Sequence, residues 1–135
     1  MRQSSIKDKL GMKQQTLTKG EMQVMNVLWE LQKGACVNDI LAHYPEPKPA
    51  YTTIATFLKI LTQKGFVEHK KGTGKLLIYT PLITKEKYRR QVMEEVKDDF
   101  FGNSFKSMFS FFVREEHLTA EDIQELIEQI KEEKL

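Results

Sequence analysis

The sequence predicts a mainly α-helical chain with one small β-hairpin, and three observations predict it. Apolar residues recur at helical spacing in six segments, a single stretch over residues 66–80 is β-prone instead, and glycine and proline separate the segments. The 135 residues suffice for one domain or two small ones and exclude a large multidomain enzyme. A composition of 40% hydrophobic and 30% charged residues is that of a folded, helix-rich chain.

The first helix starts at Leu17-Thr18-Lys19-Gly20-Glu21, where Thr18 and Glu21 have capping-box spacing and Leu17 stands where a hydrophobic staple would. It is expected to run to about Gln32, with Met22, Met25, Leu28 and Trp29 as its apolar stripe and Gly34 as its stop. A short second helix carries Val37, Ile40, Leu41 and Tyr44 until Pro45, Pro47 and Pro49 forbid continuation. The third begins near Ala50 and ends at Lys64-Gly65. Phe66–His69 and Leu76–Thr80 are β-prone runs on either side of Lys70–Lys75, which makes a hairpin with a basic tip, ended by Pro81.

Thr84 opens a long helix in which Tyr88, Val92, Val96 and Phe100 recur every fourth residue, and Gly102-Asn103 breaks it. Phe105, Met108, Phe109, Phe112 and Val113 mark a short apolar helix, and Thr119 caps a last one bearing Ile123, Leu126, Ile127 and Ile130. Three helices followed by a hairpin is the order of a winged helix-turn-helix, with the third helix as the recognition element. The expected organisation is a flexible leader over residues 1–15, a winged-helix domain over 16–83 and a helical dimerisation domain over 84–135.

Several function classes find no support. The longest near-apolar run, Met108–Val113, is far below the roughly 20 residues that cross a bilayer, and residues 1–15 lack the apolar segment of a secretory signal. With a single cysteine, Cys36, read as a small buried core residue, this predicts a cytoplasmic protein. His43, His69 and His117 stand far apart and no metal-ligand spacing occurs, so no metal and no cofactor is expected. Phosphate loops, nucleophile elbows and paired carboxylates in apolar surroundings are likewise missing, which argues against an enzyme.

The net charge of +2 hides a division. Residues 1–83 carry 12 Lys and Arg against 6 Asp and Glu, net +6, and residues 84–135 carry 9 against 13, net −4. A basic N-terminal part suggests contact with a polyanion. Wound at about 100° per residue, the third helix places Ile54, Phe57, Leu58 and Leu61 on one face and Thr52, Thr56, Lys59 and Gln63 on the opposite one, with Thr53 beside them. An ordinary solvent face would carry glutamates, whereas this one has no acid and spends three positions on threonine, a poor helix former. Hydroxyls, an amide, a lysine and the small Ala55 suit a major groove of double-stranded DNA. Lys70, Lys71 and Lys75 around two glycines then read as a wing that follows the phosphate backbone.

The C-terminal part holds Phe100, Phe101, Phe105, Phe109, Phe111 and Phe112, more aromatic surface than three short helices bury alone. The economical expectation is a homodimer whose interface takes in Val96, Phe100, Phe105, Phe109, Phe112, Ile123, Leu126, Ile127 and Ile130. Packing of the same aromatics onto the N-terminal part of a monomer is the competing arrangement.

The sequence resembles the penicillinase-repressor and methicillin-resistance-repressor family, which includes copper-responsive repressors. The resemblance is carried by the stretch Leu17–Trp29, by Tyr51–Leu61 with Lys64-Gly65 after it, and by Phe105-Lys106-Ser107 leading to Glu115-Glu116-His117-Leu118. It implies a homodimeric winged-helix repressor with intertwined C-terminal helices, bound to palindromic operators upstream of resistance genes and of a membrane sensor-protease, and released from DNA when its tail is cleaved. Thr52, Thr53 and Thr56 match the family's recognition helix, while Ala55 and Ile60 stand where other members often have arginine. The scissile Asn-Phe bond of staphylococcal members falls on Phe111-Phe112, and the cysteine-rich C-terminal motif of copper-responsive members has no counterpart. Two alternatives stay open: a winged-helix module that docks a protein, and a repressor gated by a small molecule.

Overall fold

Thr18 starts helix α1 (Lys19–Leu31) by a reciprocal cap: its hydroxyl accepts from the Glu21 amide at 3.3 Å, and the Glu21 carboxylate accepts from the Thr18 amide at 3.0 Å. The structure, a computed structural model, describes residues 16–134, so the leader expected over residues 1–15 lies outside the described residues. Gln32, at φ 58°, takes the left-handed position that ends α1, two residues before the glycine expected to do so. Helix α2 (Val37–Leu41) is shorter than the sequence suggests and leaves Tyr44 outside. The cause is local: the Lys48 ammonium donates to the carbonyls of Leu41 at 2.9 Å and Tyr44 at 2.6 Å, which closes the turn before the prolines. Helix α3 (Tyr51–Lys64) ends on Gly65, whose φ of 85° is left-handed and whose amide donates to Leu61 and Thr62.

Strands β1 (Val67–Lys71) and β2 (Leu77–Pro81) pair antiparallel, from Val67 opposite Pro81 to Lys71 opposite Leu77. Lys70 and Lys71 therefore lie on β1 and not in the tip, and Pro81 is the last paired residue of β2. Ala35, just before α2, exchanges backbone bonds of 3.0 and 2.8 Å with Tyr79, tying the start of α2 to the hairpin. The fold is mainly α with a small hairpin: a winged helix-turn-helix with a helical C-terminal part.

The chain divides into two compact units, one up to Gln91 and one from Val92. This division falls inside helix α4 (Lys85–Phe101), whose Tyr88 is only 4% exposed and belongs to the first unit. Its hydroxyl accepts from the Leu17 amide at 2.9 Å, its ring meets Trp29 and Phe66, and the Trp29 indole donates to the Ile83 carbonyl at 2.9 Å. The core of this unit is Val24, Met25, Leu28, Ile40, Ile54, Leu58 and Leu61, all fully buried, with Cys36 at its edge.

One ion pair closes that core. Glu21 is 3% exposed, and the Lys64 ammonium reaches its carboxylate at 2.7 Å and the Thr16 carbonyl at 3.3 Å. Burial pushes the Glu21 carboxyl up, but the hydrogen bond from Lys64, the bonds from Thr18 and the lysine charge together hold it below its ordinary value of 4.5. Because the folded value is the lower one, the stabilisation is complete above about pH 4.5 and is lost as the pH falls through the folded value. Glu21→Gln is expected to cost about 1–3 kcal/mol at neutral pH, and much less in acid. Urea denaturation of both proteins at neutral and acid pH checks this, and an equal cost at both would contradict it.

The second unit comprises the rest of α4 with α5 (Phe105–Glu115) and α6 (Ala120–Lys134). Ser104 caps α5, and Thr119 and Asp122 cap α6 reciprocally at 2.9 and 3.1 Å. Phe101 meets Phe111 at 5.5 Å, Phe105 stacks on Phe109 at 5.9 Å, and Phe111 meets Phe112 edge-on at 5.3 Å.

Candidate nucleic-acid interface

Helix α3 is laid against the core by Ile54, Leu58 and Leu61, none of which has any exposure, so the opposite face must point outward. Thr52, Thr53, Thr56, Lys59 and Gln63 are all exposed on it. Phe57, assigned to the core face, is half-buried and lies across Gly20, where a Cβ would overlap its ring. That close approach brings α1 and α3 together. Thr62 turns its hydroxyl back to the Leu58 carbonyl at 2.8 Å and takes no part in the outer face. The N-cap residue Ala50 has no side-chain acceptor; its carbonyl takes the Thr53 amide at 3.0 Å, which leaves the amides of Tyr51 and Thr52 for water or an anion. The helix bears no acidic residue over its whole length.

Lys70, Lys71 and Lys75 are exposed on the wing. Adjacent residues of a strand point to opposite faces, so Lys70 and Lys71 flank the ribbon on both sides, and Lys75 sits in the connecting loop. The lysines thus spread along the wing and are not gathered at its tip.

Two exposed residues that the sequence reading passed over stand between helix and wing. Tyr51, the first residue of α3, is 52% exposed and Leu76, at the end of the wing loop, 44%. With Ala55, Lys75, Leu77 and Tyr79 they border a cleft of about 440 Å³ floored by Cys36 and Val37. Burial raises the Tyr79 hydroxyl above its ordinary value, and the nearby Tyr51 phenol adds to the shift. No sequence signal marks this cleft: Leu76 belongs to a β-prone run that reads as core, and Tyr51 precedes the threonines that draw attention.

In the second unit the residues expected at a dimer interface are uncovered to different degrees. Phe100 is 76% exposed, Phe105 62%, Phe112 45%, Leu126 42%, Ile127 40% and Ile130 46%, whereas Val96, Phe109 and Ile123 are half-buried. Phe111 and Phe112 both lie within helix α5 and are exposed. No group of His, Cys, Asp or Glu among the described residues could hold a metal ion, and no described helix is long and apolar enough to cross a membrane.

Comparison with known proteins bears on this arrangement. The chain is 28% identical over 111 residues to the methicillin resistance regulatory protein MecI of Staphylococcus aureus strain N315, covering 82% of this chain and 89% of that protein. It is 27% identical over 119 residues to the penicillinase repressor of Bacillus licheniformis, covering 87% and 91%. Among solved structures, the solution structure of monomeric Bacillus licheniformis BlaI in complex with the blaP half-operator is 28% identical, covers 54% of this chain and 88% of that one, and has a TM-score of 0.45. The family model of the penicillinase repressors matches residues 17–132, which takes in both units; the chain belongs to the penicillinase repressor family.

Proposed function

We propose that this protein is a homodimeric transcriptional repressor that binds palindromic operator DNA in the cytoplasm, controls resistance-type genes, and is released by proteolysis of its C-terminal helices. The observation that carries the reading is the outer face of α3: Thr52, Thr53, Thr56, Lys59 and Gln63 exposed together, without an acid, over a fully buried opposite face. The wing lysines continue that face with positive charge. The names of the relatives, a resistance regulator and a penicillinase repressor, accord with it.

Dimerisation rests on the second unit, where no described residue from Val92 to Glu133 is buried although eight large apolar side chains are at least 40% exposed. A surface of that kind calls for a partner, and a second copy supplies one while presenting two winged helices to two half-sites. Release by a membrane sensor-protease system would act at Phe111-Phe112, whose bond lies inside α5. Cleavage there would divide α5 and detach Phe112 and α6, and with them the contacts expected of Phe112, Ile123, Leu126, Ile127 and Ile130.

The test is a fluorescence-anisotropy titration against duplexes tiling the DNA upstream of the protein's own gene, with scrambled DNA as control. Affinity for one palindromic duplex is expected to fall steeply between about 50 and 200 mM salt, with two subunits bound per site. Equal and weak binding to every duplex would turn the search to a protein partner.

A further inference from the structure

The cleft between α3 and the wing differs from the rest of the outer surface in chemistry. Its rim carries a phenol, an isobutyl group and an ammonium: Tyr51, Leu76 and Lys75. Single exposed apolar residues are ordinary, but here two large ones share a rim with a cation, and they come from segments more than 20 residues apart. Among the described residues the Tyr51 hydroxyl forms no hydrogen bond and Lys75 no ion pair, so both are available to a ligand. Tyr51 and Ala55 lie on the flank of α3 next to its threonine face, so the cleft continues the surface that faces DNA.

We infer that this cleft seats one sugar–phosphate unit of the operator backbone, with the Tyr51 hydroxyl and the Lys75 ammonium on the phosphate and Leu76 against the deoxyribose. The inference rests on the DNA reading above and deepens it. A helix lying in the major groove is flanked by a phosphate strand, and a wing beyond that strand traps it from the other side. Phenol and ammonium are ordinary donors to phosphate oxygens, and such contacts set register without reading sequence. The phenol ring and the leucine offer an apolar surface against which the C–H groups of the sugar can pack. Charge complementarity supports this occupant: the rim has a cation and no carboxylate, which suits an anionic phosphodiester better than an uncharged apolar peptide.

Full-length Tyr51→Phe, Leu76→Ser and Lys75→Ala test this against the best-binding duplex from the tiling set and its single-base variants. Tyr51→Phe keeps ring and packing, and is expected to weaken binding about five- to tenfold on every duplex equally, leaving base discrimination intact. Lys75→Ala is expected to lower the salt slope by about one. Replacing single phosphates by methylphosphonates should then reveal one position whose neutralisation costs Tyr51→Phe less affinity than it costs the wild type, the Lys75 contact alone remaining to be lost. Wild-type affinity in both Tyr51→Phe and Leu76→Ser, with Lys59→Glu impaired, would overturn the cleft assignment and leave DNA binding standing. A wild-type protein that binds no duplex above scrambled DNA would overturn both.

Discussion

Lys59→Glu is expected to lower operator affinity on the order of a hundredfold, about 3 kcal/mol, while leaving the dimer and the melting temperature unchanged. The effect is large because the substitution does two things at once at the centre of the outer face of α3. It removes a cation that neutralises a phosphate or donates to a base edge, and it sets a carboxylate against the polyanion on a helix that has none. The fold is spared because Lys59 is exposed and makes no ion pair among the described residues, so its replacement belongs with surface changes of about 0.5 kcal/mol or less. Anisotropy titration with sedimentation of the same samples separates the two readouts. Tight binding by the variant would take α3 out of the recognition role.

Phe112→Asp is expected to weaken dimerisation by about 2–4 kcal/mol, thirtyfold or more, and with it affinity for the full palindrome. In a single chain Phe112 is 45% exposed and touches Phe111 edge-on, so an aspartate there costs the monomer little. At a subunit interface the same carboxylate would be desolvated without a partner. Sedimentation equilibrium across a range of concentrations reads the dimer constant, and circular dichroism reads the helices. A variant that stays dimeric at the wild-type concentrations would move the interface away from the outer side of α5.

Most of the fold was legible in the sequence because caps and periodicity are local. Thr18 with Glu21, Gly65, Thr119 with Asp122, and the two faces of α3 each follow from residues within a turn or two of one another. The differences arise where a group outside an element decides its boundary. Lys48 closes α2 early by reaching back to Leu41 and Tyr44, and the pairing of Pro81 with Val67 draws Lys70 and Lys71 into the strand. The division after Gln91 depends on Tyr88 meeting Leu17, Trp29 and Phe66, a contact across the length of the first unit. The candidate site divides in the same way. The threonine face is a property of one helix, whereas the cleft bordered by Tyr51 and Leu76 exists only after helix and hairpin have packed.

The tie between Glu21 and Lys64 has a calorimetric consequence. It fastens the C-terminal end of α3 to the N-terminal end of α1 at 2.7 Å, while Gly65 closes the last turn and Phe57 rests on Gly20. A helix held at that end and along its flank arrives at its ligand already ordered. Association then resembles the docking of two rigid bodies, and its heat-capacity change reflects the surface covered at the interface, without the large negative contribution that accompanies a segment folding as it binds.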